Sequence, residues 1–190
     1  MTLTDQPLAG KKVAILVANG FEELEMTEPQ RALLKQGAAL KIISPEQGLV
    51  NGWHGTAWGH YFPVDKQVGD VLAADFDLLL LPGGDRSVAK LAQNAHTKRI
   101  VGSFMDAGKG VAAIGTGVSL LGAKAKARAV TSAPGAAEAL KAEGALWSEE
   151  EPVVTDRHLV TAQGQDHLPA FIEAMIRVFA EAVALRKQAA

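Results

Sequence analysis

The hydrophobic positions of this chain fall into two alternating periodicities. Short, almost wholly apolar runs mark strands buried on both faces, and between them apolar residues recur every three or four positions, the mark of amphipathic helices. The apolar runs predict strands over residues 12–18, 40–44, 76–81 and 110–114, with shorter ones at 129–131, near Val153 and at 159–161. The helical pattern predicts a helix over 22–36 stopped by Gly37, further helices over 87–93, 97–107 and 135–143, a helical run at 118–125 and a closing amphipathic helix at 168–187. Strands and helices that alternate in this way predict an α/β fold with a mainly parallel central sheet covered on both faces. Residues 45–63 break the rhythm. Rich in Gly, Trp and His, they predict a long loop or a small hairpin that departs from the main sheet. With no repeat, low-complexity tract or linker, residues 1–190 read as one domain.

Composition narrows what such a domain can do. At 48% hydrophobic residues it can bury a proper core, and 19 basic against 21 acidic residues, scattered rather than blocked, give no electrostatic footprint for nucleic acid or an anionic membrane. Small solutes or proteins are the expected partners. The chain contains no cysteine, which excludes disulfides, thiolate metal sites and a cysteine nucleophile. The first residues show no leader pattern and no apolar run approaches bilayer length, so the expected location is cytoplasmic.

The candidate chemistry gathers at two glycine turns, each at the end of an apolar strand. Strand 110–114 runs directly into Gly115-Thr116-Gly117 and then into the helical run, which is the pattern of a nucleophile elbow with a glycine where the nucleophile would project. Pro82-Gly83-Gly84 ends the strand before it. Together the two turns place backbone amides around one crevice, where a small anion or a carbonyl oxygen could bind; tight turning alone would also call for these glycines. Gly115, Gly117 and Gly122 do not form the dinucleotide-binding spacing, and a P-loop is absent, so no cofactor is expected. His54, His60, His96, His158 and His167 are dispersed, and the spacing of His54 and His60 is not a zinc pattern, so no metal is expected. Thr116 and Ser119 carry hydroxyls near the elbow, yet no histidine stands close in sequence to serve as a base. The pair Asp166-His167 reads as the start of the final helix, where Asp166 favours the positive end.

Four ordered segments, residues 13–23 (VAILVANGFEE), 77–84 (DLLLLPGG), 113–117 (AIGTG) and 159–161 leading to 168–171 (LVT and LPAF), resemble the PfpI/ThiJ superfamily, a branch of the class I glutamine amidotransferase-like proteins. The resemblance implies a flavodoxin-like three-layer sandwich, commonly a homodimer, with its site at the elbow. In that family the elbow typically reads Ala-Ile-Cys-His-Gly, the cysteine being the nucleophile and a first-helix glutamate its partner. Here the cysteine position is Gly115, the histidine position is Thr116, and an acidic position after the second glycine turn falls on Val88. Glu25 falls on the glutamate. The carboxyl-terminal domains of large-subunit catalases are similar and also lack the cysteine.

These residues give the expected ligand-binding set Glu25, Gly83, Gly84, Gly115, Thr116 and Gly117. Burial is expected to raise the pKa of Glu25, which serves either as an acid/base or as a brace of the elbow, while Glu22, Glu23 and Glu28 are expected in solvent. Two functions follow. One is a non-catalytic, dimeric scaffold or small-ligand binder of the stress-protection type, taking a small carbonyl or anionic ligand. The other is thiol-independent glyoxalase, amidase or protease-like chemistry with Glu25 as general acid/base. The aromatic stretch 53–62, too apolar to be left in water, points with the resemblance to a homodimer and could fold over the crevice or over a dimer partner.

Overall fold

The computed structural model describes residues 6–190. The first strand, β1 (Lys12–Leu16), leads through a turn into the two-residue β2 (Phe21–Glu22) and helix α1 (Glu23–Lys35). Then come β3 (Ala39–Ser44), a hairpin of β4 (Leu49–His54) and β5 (Ala57–Pro63), and the short β6 (Lys66–Gln67). β7 (Leu78–Leu81) precedes α2 (Asp85–Ala92) and α3 (Ala95–Asp106), and β8 (Gly110–Ile114) runs into a 3-10 stretch, Gly115–Ala125. β9 (Ala129–Val130), α4 (Ala137–Ala142), β10 (Leu146–Trp147), β11 (Val153–Asp156), β12 (Leu159–Ala162) and the long α5 (Leu168–Ala189) complete the described elements.

Seven strands form the main sheet in the order β11-β12-β8-β7-β1-β3-β6. Every pairing in it is parallel except that of the edge strand β11 with β12. Alternate residues of each strand feed two apolar layers. Ala14, Leu16, Leu79, Leu81, Val111 and Ala113 meet Ile100, Val101 and Phe104 of α3, whereas Val13, Ile15, Leu78, Leu80, Ala112 and Ile114 meet Leu33 of α1 and Phe171, Met175 and Phe179 of α5. The result is the flavodoxin-like three-layer sandwich that the strand pattern and the resemblance imply.

Two local expectations change, and one alternative is resolved. The helical run at 118–125 is not α-helical: residues 115–125 coil as 3-10 turns, interrupted at Gly122, where φ is 51° and ψ is −133°. Glycines at 115, 117 and 122 remove the backbone preference that a longer helix needs. The first helix begins at Glu23 rather than Glu22, because Glu22 is drawn into a parallel pairing with Trp53 of β4. Of the two alternatives for stretch 45–63 the hairpin forms, departing from the main sheet as expected: β2, β4 and β5 make a separate three-stranded sheet. Among the described residues no helix is long and apolar enough to cross a membrane.

Candidate functional site

The elbow forms where β8 stops pairing. β8 is fully buried between β7 and β12, and the chain reverses at Gly115 with φ of +64°, a left-handed geometry that costs a residue with a side chain of order 1–3 kcal/mol. The turn after β7 packs against it so closely that a Cβ on Gly117 would lie 2.5 Å from the Leu81 carbonyl oxygen and 2.6 Å from that of Pro82. Gly84, with φ of +114°, is equally confined, since a Cβ there would lie 2.4 Å from the Gly20 oxygen. Close backbone approach is therefore the first reason for these glycines.

Glu25 projects from the first turns of α1 to the same point. Its side chain is buried (3% exposed), and its Oε1 accepts a 3.2 Å hydrogen bond from the Gly83 amide. Pro29, inside α1, has no N–H to donate to the Glu25 carbonyl one turn back. An ideal Cβ built on Gly115 would lie 2.8 Å from Oε1 and 2.9 Å from Oε2 of Glu25. The carboxyl thus fills the space into which a side chain at the elbow would grow. Burial chiefly, with the nearby Glu22 charge second, pushes its pKa up to about 8 against the opposing pull of the Gly83 N–H. At neutral pH the group is mostly the neutral acid, able to donate as well as accept.

The expected cradle of free amides is largely used internally. The Gly83 N–H is taken by Glu25, and the Gly84 N–H donates to Thr116 Oγ1 at 3.0 Å. Thr116 accordingly braces the two turns and does not bond Glu25, while Ser119 Oγ donates to the Thr116 carbonyl at 2.8 Å. An anion in this position would find two of its expected donors already satisfied.

A crevice of about 700 Å³ opens above the elbow. Glu25, Gly84, Gly115 and Thr116 line it; Gly83 and Gly117 are buried and serve packing instead. Sequence reasoning missed much of the remaining wall: Glu22, Asp85, Trp53, Arg86 and the loop from Gln163 to Asp166. Glu22 was expected in solvent, yet it is half-buried, and burial followed by repulsion from Asp85 raises its pKa. Asp85, directly after Gly84, was visible as an acidic residue at a strand end. Asp166 does precede α5, as expected, but it also faces the crevice. Val88 is buried in α2 and contributes nothing polar.

Glu23 is the clear departure from the expected solvated face, being 6% exposed. Its carboxylate accepts from the His60 amide at 2.9 Å and contacts His60 Nδ1 at 2.5 Å, tying the hairpin to α1. Gly52 and Gly59 make room for it, since a Cβ at either would press on Oε2. Burial pushes the Glu23 pKa up, but the bonds and charge from His60 outweigh it and hold the group below the usual range. His54 stays exposed near Glu22, and among the described residues neither histidine lines the crevice above the elbow. On the outer side, Arg86 stacks its guanidinium 4.5 Å from the Trp53 ring centre and 5.4 Å from that of Trp58. Among the described residues no group of three or more histidines and carboxylates is placed to hold a metal ion.

Comparison with known proteins agrees with this fold. The model of the DJ-1/PfpI family matches residues 11–178. General stress protein 18 of Bacillus subtilis is 37% identical over 165 residues, covering 85% of this chain and 94% of its own. Protein/nucleic acid deglycase 2 of Escherichia coli is 33% identical over 171 residues, covering 88% and 97%. Among solved structures, a cysteine-to-alanine mutant of a DJ-1 superfamily protein from Salmonella typhimurium superposes with a TM-score of 0.77 at 27% identity, covering 94% of this chain and 96% of its own. A two-domain DJ-1/ThiJ/PfpI-like and ferritin-like protein from Anabaena variabilis gives a TM-score of 0.82 at 26% identity over 92% of this chain, which spans 49% of that larger one. The chain belongs to the DJ-1/PfpI family.

Proposed function

We propose that this protein is a nucleophile-less member of its family that binds a small carbonyl-bearing ligand in the crevice above the elbow, without covalent catalysis. The observation that carries this reading is the position of the Glu25 carboxyl, which occupies the space of the missing elbow side chain and leaves no thiol or activated hydroxyl near it. A neutral acid so placed offers a hydrogen bond to a carbonyl or hydroxyl oxygen. A relative named as a general stress protein supports a stress-protection role for such binding. Exposed Trp58 (52%) and Tyr61 (67%) on the hairpin support a homodimer through that sheet, which sedimentation over a range of concentrations would detect.

The test is a titration with hydroxyacetone followed by backbone amide resonances. Shifts at Gly83, Gly84 and Thr116 with the ketone recovered unchanged are the expected result; no shift there, or conversion of the ketone, overturns the reading. A second reading rests on the raised Glu25 pKa, because an acid that titrates near neutrality suits proton transfer to or from a bound carbonyl. Glu25-dependent turnover would favour it.

A further inference from the structure

The charges around the crevice are one-sided. Glu22, Asp85 and Asp166 face it together with Glu25, and among the described residues none of the four takes part in an ion pair. The contrast with Glu23, one residue away and hydrogen-bonded to His60, is direct. Among the described residues Arg86 is the one Lys or Arg in the lining, and its guanidinium is stacked on Trp53 and Trp58 rather than paired with a carboxylate. Acidic residues alone would be an ordinary solvated surface. The second observation is Glu25 itself: its side chain is more than nine-tenths buried and lines the crevice, and among the described residues its Oε2 has no hydrogen-bond partner. Among the described residues the one enclosed side-chain polar atom without a partner is Thr97 Oγ1, so Glu25 Oε2 reaches the open crevice, where its O–H is available to a ligand oxygen.

We infer that the crevice selects a small cation, a primary ammonium with a neighbouring carbonyl or hydroxyl oxygen, and not a carboxylate. The oxygen receives the Glu25 O–H at the elbow, and the ammonium lies toward Asp85 and Asp166. An anionic ligand would meet unpaired carboxylates on the rim and, at the floor, the Gly83 and Gly84 amides already in use. The inference rests on the crevice being a ligand site and adds the charge of the ligand.

Three probes that share a methyl ketone separate the possibilities: aminoacetone (cationic), hydroxyacetone (neutral) and pyruvate (anionic). Dissociation constants are measured by amide-resonance titration at low salt, a pH unit below the Glu25 pKa of about 8. The cation should bind about tenfold more tightly than the neutral ketone, since partly exposed pairs are each worth at most about 1 kcal/mol, and added salt should shrink the difference. Pyruvate should bind weakest. In the double variant Asp85→Asn/Asp166→Asn, both changes being at exposed positions, the amine should fall to the level of the neutral ketone. Pyruvate binding as tightly as the amine, or an amine preference that survives in the double variant, would overturn the inference. Equal binding of amine and neutral ketone overturns it while leaving the ligand site intact. No binding by any of the three overturns both.

Discussion

Replacing Glu25 by Gln should make the protein more resistant to alkali. In the folded chain the Glu25 pKa is raised from 4.5 to about 8, so folding favours its protonated form. A raised pKa contributes stability that is fully present below the unfolded value and is lost as pH rises through the folded one. Wild type should therefore lose stability relative to Glu25→Gln by about 1.4 kcal/mol for each pH unit between these values, a ceiling of roughly 5 kcal/mol. Gln is nearly isosteric and its side-chain oxygen keeps an acceptor for the Gly83 amide, so the comparison isolates the charge. Urea denaturation of both proteins across this range provides the assay, because titrating groups that do not interact with Glu25 cancel in the difference, leaving Glu25 and its coupled neighbour Glu22. The difference should grow from pH 5 to pH 8 and level off above it. Parallel curves would show that Glu25 ionises as an exposed carboxylate does, and the argument from burial would fail.

Other residues around the elbow give equally definite expectations. Gly117→Ala should destabilise the fold by about 3 kcal/mol in denaturant titration, because its Cβ meets two carbonyl oxygens of the rigid turn after β7. Thr116→Val should cost about 1 kcal/mol and speed amide exchange at Gly84, whose N–H loses its acceptor. Glu23→Gln should loosen the hairpin, seen as faster exchange at the His60 amide, and because the Glu23 pKa is lowered, wild type should lose the same protection as pH falls below the usual glutamate range. Gly115→Cys with Thr116→His should yield a folded protein whose thiol reacts with iodoacetamide once the Glu25 carboxyl has shifted; an unreactive thiol would contradict the elbow geometry.

Much of this fold was legible because buried strands announce themselves. The apolar runs at 12–18, 76–81 and 110–114 became β1, β7 and β8, whose side chains alternate between the two core layers. The elbow was legible too, since a strand that meets Gly-Thr-Gly leaves the backbone little choice but to turn sharply. What stayed hidden was contact between segments distant in sequence. Nothing near Glu23 announces that its partner is His60, 37 residues later, because their meeting depends on the hairpin folding back over α1. Glu22 was equally opaque, its burial following from the pairing of β2 with β4 and its raised pKa from that burial and the charge of Asp85. The glycine turns misled for a physical reason. An amide at a strand end is a free donor only until the tertiary structure supplies an acceptor, and here Glu25 and Thr116 supply it.

Turnover of methylglyoxal and a small ester panel, at high concentrations of the pure protein and beside Glu25→Gln, tests the central claim most directly. The account predicts no turnover above background by either protein, as a crevice with no nucleophile requires. Turnover by wild type that disappears in Glu25→Gln would contradict it and make Glu25 the centre of a thiol-free mechanism.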